Sequence, residues 1–143
     1  MKLDFKTTYT GLHWLELTDR QSGTKLDWPE GQPMVAYTSL ESATKFHGRW
    51  SLYFYVPKGT EVLGGFAKGP GTLRDANGRE LHVFPDKPGF FNLPIPAGQD
   101  GKVMEFHATS GTRVLMTVPP YLARSAQELL LPEEVVERDA PKN

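Results

Sequence analysis

The fold class is decided by residues 50–56, which read Trp-Ser-Leu-Tyr-Phe-Tyr-Val and end at Pro57. Successive side chains of a β-strand point to opposite faces, so this run has one apolar face and one mixed face. The face that we expect in the core holds Trp50, Leu52, Phe54 and Val56. The other face carries Tyr53 and Tyr55, whose rings and hydroxyls suit a wet surface and can stack on a flat ligand.

Turn signals and alternating runs continue on both sides of this strand. Asn77-Gly78, between residues 72–74 and 79–84, predicts a tight hairpin because both residues tolerate positive φ. A second hairpin is expected from residues 102–108 and 112–118, with Val114, Met116 and Val118 in the core. Gly64-Gly65, inside another strand pattern, indicates a bulge or a close backbone approach.

Residues near the start of the chain also alternate. Residues 3–9 predict a first strand, and residues 12–18 and 24–26 predict a hairpin closed by a turn over residues 19–23. The segment 27–33 holds Trp28 with two prolines and a glycine, which is typical of a loop.

The end of the chain changes character after Pro119-Pro120. Ser125 and Glu128 have the spacing of a capping box, and Pro132-Glu133 repeats the start signal of a helix. We therefore expect short helical turns here. The predicted organisation is a β-sandwich domain over residues 1–121, with helical turns and a tail over residues 122–143 that pack on it or extend from it.

Composition agrees with an all-β chain. Twelve prolines and fourteen glycines in 143 residues are too many for a helical bundle and indicate many short elements joined by turns. The length suits one domain. About nine short strands with turns between them predict an antiparallel β-sandwich with a short helical C-terminal segment.

Charge and residue usage restrict the partners. A formal net charge of −1 provides no basic field for a nucleic-acid backbone. No apolar run reaches the ~20 residues of a membrane span, and residues 1–5 do not read as a signal peptide. The chain has no cysteine, which excludes disulfides, zinc–thiolate sites and thiol nucleophiles.

Three segments together resemble a known family. Residues 53–60 (Tyr-Phe-Tyr-Val-Pro-Lys-Gly-Thr), 75–78 (Asp-Ala-Asn-Gly) and 94–99 (Pro-Ile-Pro-Ala-Gly-Gln) are similar to the succession of strands and turns in small bacterial jelly-roll modules. These are the galactose-binding-like and pre-peptidase C-terminal-like domains of secreted glycoside hydrolases and peptidases. The resemblance covers residues 50–121 and carries no ligand motif.

The resemblance implies a jelly roll that acts as a non-catalytic accessory module, often carbohydrate-binding and sometimes holding a structural calcium. It also implies an extracellular or periplasmic setting, inside a larger protein that carries a neighbouring catalytic domain. A structural or docking domain of a larger surface protein is the alternative, and a small sugar-active enzyme is a third hypothesis.

Sugar binding requires flat aromatic faces beside polar groups that orient the hydroxyls. Four aromatic residues lie off the expected core face or in a loop, and two polar residues are their neighbours in sequence. The predicted ligand-binding residues are Trp14, Trp28, Tyr53, Tyr55, Arg49 and Asp27. The competing interpretation is that these aromatic rings are ordinary packing residues of a sandwich.

Catalytic and metal motifs receive little support from the sequence. The four histidines lack metal-binding spacing, and no serine lies in a Gly-x-Ser-x-Gly motif. Asp75, Asn77 and Asp100 lie in turns and could supply oxygen ligands to a calcium ion. Because Asn-Gly and Asp-Gly form turns without metal, the sequence favours a module that needs no cofactor and binds a polysaccharide or oligosaccharide without catalysis.

Overall fold

The computed structural model of the protein describes residues 2–19 and 23–142. Most of its regular structure is β, followed by one 3-10 turn (Ala126–Glu128) and one helix, α1 (Glu133–Asp139). The strands are β1 (Ala36–Tyr37), β2 (Trp50–Val56), β3 (Val62–Lys68), β4 (Gly71–Arg74), β5 (Glu80–Phe84), β6 (Gly89–Pro94), β7 (Lys102–Thr109), β8 (Thr112–Leu115) and β9 (Tyr121–Leu122).

All pairings between these strands are antiparallel. One sheet has the order β2-β7-β4-β5, a second has the order β6-β3-β8, and β1 pairs with β9. The predicted antiparallel sandwich with a short helical C-terminal segment is confirmed. Jelly-roll connectivity stays a prediction.

The central strand buries the face that its alternation predicts. Phe54 and Val56 are fully buried, while Trp50 and Leu52 are partly buried against the same core. The Phe54 ring stacks on Phe106 of β7, with ring centroids 4.8 Å apart. Each such buried side chain contributes about 1.5–3 kcal/mol, so β2 and β7 together supply much of the core.

The Asn77-Gly78 turn forms as predicted, since β4 pairs with β5 across it and Gly78 has φ +79°. The expected close approach at Gly65 is also present. A Cβ on Gly65 would overlap the carbonyl oxygen of Val114 and the ring of Phe91. Glycine is therefore required in the middle of β3 by its two neighbouring strands rather than by its own φ.

Of the three core residues predicted in residues 112–118, Val114 and Val118 are buried and Met116 is not. Met116 is 54% exposed, and Val114 is buried but lies outside the main core cluster. Leu115 belongs to the core, and Arg113 is 1% exposed. The prediction that Met116 lines the core is wrong, because β8 ends at Leu115 and the alternation of faces does not continue beyond it.

Arg113 can be buried because its guanidinium donates hydrogen bonds to carbonyls and lies over an aromatic ring. Its Nη2 donates to the Gly69 carbonyl at 2.8 Å, and its Nη1 donates to the carbonyls of Thr112 at 2.9 Å and Lys68 at 3.2 Å. The guanidinium carbon lies 4.4 Å from the ring centroid of Phe84, a cation–π distance. Burial lowers the pKa of Arg113 to about 10.

Residues 2–18, called the apolar arm below, form no strand, nor do residues 24–26. The strands predicted there are wrong, because a strand requires a hydrogen-bonding neighbour and none of the described strands pairs with these residues. Most of the turn predicted between them, residues 20–22, lies outside the described residues.

We predict that Gly65→Ala lowers the free energy of unfolding by about 3 kcal/mol or more, because the new methyl group has no free space and the backbone must move. Gly89→Ala in neighbouring β6 is the matched control, since nothing lies within 4 Å of its Cβ position. Urea unfolding of both variants gives the comparison. Equal stability of the two would contradict the close approach.

We predict that Arg113→Met lowers the free energy of unfolding by about 2–4 kcal/mol, although methionine is apolar and of similar length. The carbonyls of Lys68, Gly69 and Thr112 would lose their donor, and buried unpaired groups are costly. Arg49→Met at an exposed position should change stability by less than about 0.5 kcal/mol. A more stable Arg113→Met protein in guanidinium unfolding would overturn this assignment.

Candidate functional site

The indole of Trp28 is held in place by two charged side chains. Its Nε1–H donates to Glu128 Oε1 at 3.2 Å, and the Arg124 guanidinium carbon lies 4.2 Å from the ring centroid. Nη2 of Arg124 also donates to the carbonyls of Trp28 and Pro29, at 3.4 and 3.3 Å. The ring is half-buried, so part of its surface faces solvent in a defined orientation.

Glu128 is the central acceptor of this cluster and is 2% exposed. Its carboxylate receives Nε–H and Nη2–H of Arg124, each at 2.7 Å at closest, and the Ser125 hydroxyl at 3.2 Å. These charge-assisted bonds from Arg124 lower the pKa of Glu128, with smaller contributions from Ser125 and Trp28. Glu128 is therefore an ion, fully partnered by donors.

The local sequence explains why Glu128 turns towards Arg124. Ser125 and Glu128 predict a capping box, but Ser125 makes no side-chain capping bond and its hydroxyl donates to the Glu128 carboxylate instead. The segment closes as a 3-10 turn, in which Glu128 N–H reaches the Ser125 carbonyl. The Glu128 carbonyl then accepts from Met34 N–H at 3.0 Å, which ties the Trp28 loop to this turn.

An open depression of about 640 Å³ lies beside the indole, and we call it the Trp28 cleft. Its lining consists of Trp28, Glu30, Gly31, Arg124, Ser125, Gln127 and Glu128. The hydrogen bonds that Arg124 donates to Glu128 raise the pKa of Arg124, and the nearby charges of Glu30 and Asp27 raise it further. The lining of the Trp28 cleft holds two carboxylates, of Glu30 and Glu128, against one guanidinium, so the cleft has an excess of negative charge.

Tyr53 lies at a different depression, of about 400 Å³, whose lining also includes Asp75, Lys102, Glu105 and Ala126. Its backbone pairs with Ala123, with N···O distances of 2.7 and 2.9 Å. The 3-10 turn contributes Ala126 to this depression and Gln127 and Glu128 to the Trp28 cleft. The two hollows are therefore neighbours on either side of that turn.

The side chain of Tyr55 anchors the C-terminal helix. Its hydroxyl donates to Asp139 Oδ2 at 2.9 Å, and Lys58 N–H donates to the same oxygen at 2.9 Å. Burial, reinforced by the bond to Asp139, raises the pKa of Tyr55 to about 12. Burial alone would raise the pKa of Asp139, but the bonds from Lys58, Tyr55 and Arg138 lower it on balance.

The remaining predicted ligand residues are dispersed. Trp14 is 73% exposed and makes an edge-to-face contact with Tyr37, with ring centroids 6.2 Å apart. Arg49 is exposed, and Asp27 is exposed beside Lys25 at 3.4 Å. Of the six, the structure brings Trp28 and Asp27 to one place, and Tyr53 lies across the 3-10 turn from them.

Sequence reasoning missed Arg124, Gln127 and Glu128 as site residues. A usable signal was present, because Arg124 and Glu128 are four residues apart and such oppositely charged residues are neighbours on a helical turn. No local pattern could indicate that this turn lies against Trp28, about a hundred residues earlier in the chain.

The acids considered for calcium are engaged in turns. Burial alone would raise the pKa of Asp75, but the N–H groups of Arg79 and Asn77 donate to its carboxylate and lower it on balance. Asp100 accepts from Gly59 N–H at 2.8 Å. Over residues 2–19 and 23–142, no three or more His, Asp or Glu side chains come together as a metal-binding group.

We predict that Glu128→Gln lowers the melting temperature at pH 7, because the neutral amide loses the charge-assisted bonds to Arg124. Since the folded-state pKa of Glu128 is depressed, its contribution is complete above the unfolded-state pKa of about 4.3. The contribution is lost as the pH falls through the lower folded-state pKa. The gap between wild type and variant should therefore close in acid.

Thermal unfolding between neutral and acidic pH measures this gap, and Glu134→Gln on the exposed first turn of α1 is the control. A gap that stays constant with pH would show that Glu128 acts by packing and not by its charge.

No helix in the described part of the chain is long and apolar enough to cross a membrane.

The comparisons with known proteins identify no relative. No family model, curated protein or solved structure matches the chain.

Proposed function

We propose that this protein is a non-catalytic carbohydrate-binding module and that the Trp28 cleft is its binding site. The observation that carries the proposal is the half-buried indole, oriented by Arg124 and Glu128 at the side of an open depression. In this proposal the module is appended to a secreted glycoside hydrolase or similar enzyme, in an extracellular or periplasmic setting.

The arrangement suits a sugar for two physical reasons. A fixed indole can stack on the C–H face of a pyranose ring without losing rotamer freedom on binding. Gln127 is exposed at the same cleft and has both a donor and an acceptor for hydroxyl groups. Arg124 covers one face of the indole, so a ligand would contact the remaining exposed part.

The charge of the cleft indicates the class of sugar. Glu30 and Glu128 outnumber Arg124 in its lining, and the guanidinium is already bonded to Glu128. An acidic polysaccharide would meet like charge, and among the described residues that line the cleft the cation, Arg124, is already bonded to Glu128. The proposed ligand is therefore a neutral oligosaccharide.

A docking domain is the second candidate function, and a separate observation favours it. The apolar arm exposes large hydrophobic side chains, among them Phe5 and Trp14. Exposed apolar surface on this scale is typical of protein interaction sites.

We predict that calorimetry finds binding to neutral glucan, mannan or xylan oligosaccharides and none to alginate or pectate fragments. Trp28→Ala should weaken binding at least about tenfold, as expected for loss of an aromatic anchor. Gln127→Ala should weaken it about two- to tenfold without a change in melting temperature, because its side chain is exposed.

Tyr9→Ala is the matched control, because Tyr9 is an exposed aromatic residue that lines neither depression. Its affinity should equal that of the wild type. Trp28 also contacts Glu128, so melting temperature is measured beside binding for every variant. Silence across the panel, or full affinity in Trp28→Ala with loss in Trp14→Ala or Tyr53→Ala, would overturn the assignment.

A further inference from the structure

The depression beside Tyr53, called the Tyr53 depression below, lies on the outer face of β2 and β7. Tyr53 and Glu105 are directly opposite each other in the pairing of these strands, and both line the depression. The residues on either side of Glu105, Met104 and Phe106, are fully buried in the core. Because side chains alternate between the two faces of a strand, Tyr53 and Glu105 lie on the face away from the core.

Two polar atoms of this pair are free to bond a ligand. In the described part of the chain, the Tyr53 hydroxyl has no hydrogen-bond partner, whereas the hydroxyl of Tyr55 on the same face donates to Asp139. Glu105 Oε1 lies 3.0 Å from His107 Nδ1, and Oε2 of the same carboxylate has no partner among the described residues. Neither free atom is sealed from water. A phenol that donates and accepts, beside a carboxylate oxygen that accepts, can bond the hydroxyl groups of a sugar.

One short segment, residues 123–128, joins the Tyr53 depression to the Trp28 cleft and is held at both ends. At its start, the backbone of Ala123 pairs with Tyr53 through N···O contacts of 2.7 and 2.9 Å. At its end, Glu128 accepts from the indole of Trp28 at 3.2 Å. Neither end can shift without breaking these bonds, so the two depressions keep one position relative to each other.

The two depressions meet in the middle of this segment. Ala126 and Gln127 are both exposed, and Ala126 lines the Tyr53 depression while Gln127 lines the Trp28 cleft. Consecutive Cα atoms are about 3.8 Å apart, so the depressions are separated by a single step along the turn. The side chain of Ala126 is one methyl group, which leaves room for a ligand to pass from one depression to the other.

The Tyr53 depression has the same sign of charge as the Trp28 cleft. Its lining holds the carboxylates of Asp75 and Glu105 against the amine of Lys102. An excess of negative charge on both sides of the turn disfavours an acidic chain along the whole path. A neutral chain therefore suits both depressions.

We propose that the Tyr53 depression is a second subsite, which binds a further part of the same neutral oligosaccharide that the Trp28 cleft holds. This inference rests on the proposed function, which assigns only the Trp28 cleft. The sugar chain crosses the turn over Ala126, and its hydroxyl groups bond to Tyr53 and Glu105. Both contacts belong to one ligand, and the protein groups are already in place, so the second contact adds affinity without further ordering of the protein.

A length series tests the second subsite. Calorimetry is carried out with glucan, mannan and xylan oligosaccharides, each from the disaccharide to the octasaccharide. We expect the affinity for the series that binds to rise at least about tenfold with length and then to level off, once both depressions are occupied. Ala126→Leu, which narrows the crossing, should weaken the octasaccharide about tenfold and leave the disaccharide unchanged.

Tyr53→Phe removes only the free hydroxyl. It should weaken octasaccharide binding about two- to tenfold and leave both disaccharide binding and the melting temperature unchanged. Tyr55→Phe is the matched control, because it is the same change two residues on along the same strand face. It should lower the melting temperature through loss of the bond to Asp139 and leave both affinities unchanged.

The outcomes separate the second subsite from the proposed function. Equal affinity for the disaccharide and the octasaccharide, with both weakened by Trp28→Ala, overturns the second subsite and leaves the proposed function intact. Full octasaccharide affinity in Tyr53→Phe also overturns the second subsite. Absence of binding across every series overturns both.

Discussion

The burial of Arg113 is the constraint on which the arrangement of the sandwich depends. A guanidinium placed inside a core is costly unless its N–H groups find acceptors, and here Nη1 and Nη2 donate to the backbone carbonyls of Lys68, Gly69 and Thr112. These carbonyls come from β3, the turn after it and β8, so one side chain joins three consecutive parts of one corner. The corner closes only because Gly69 and Gly111 lack side chains, since a Cβ on either would overlap backbone atoms of the other turn.

The same arginine organises the aromatic core. Its guanidinium carbon lies over Phe84 of β5 and within 5.9 Å of the ring centroid of Phe106 of β7, both in the facing sheet. Phe106 in turn stacks on Phe54 of β2. The guanidinium of Arg113 therefore makes hydrogen bonds to one sheet and ring contacts to the other. These contacts fix how the two sheets face each other.

Glu128 is also a buried charge, but unlike Arg113 it has a partner of opposite charge. Arg124, Ser125 and Trp28 all donate to its carboxylate, and its backbone holds Met34. Because a partnered charge orients each group that it bonds, the loop around Trp28 is tied to the end of the sheet. The resulting fixed indole differs from the apolar arm, whose side chains have no comparable anchor.

Local patterns were enough to predict the β class, the buried face of β2, the Asn77-Gly78 hairpin and the close approach at Gly65. Each depends on alternation or turn stereochemistry, which act between near neighbours. The burial of Arg113, the unpaired arm and the Trp28 cleft depended on contacts between distant residues. Alternation of apolar and polar residues cannot show that an arginine will find acceptors in the interior. It also cannot show whether a strand-like segment has a neighbouring strand to pair with. The partners of Trp28 lie about a hundred residues away, so long-range packing brought the candidate site together.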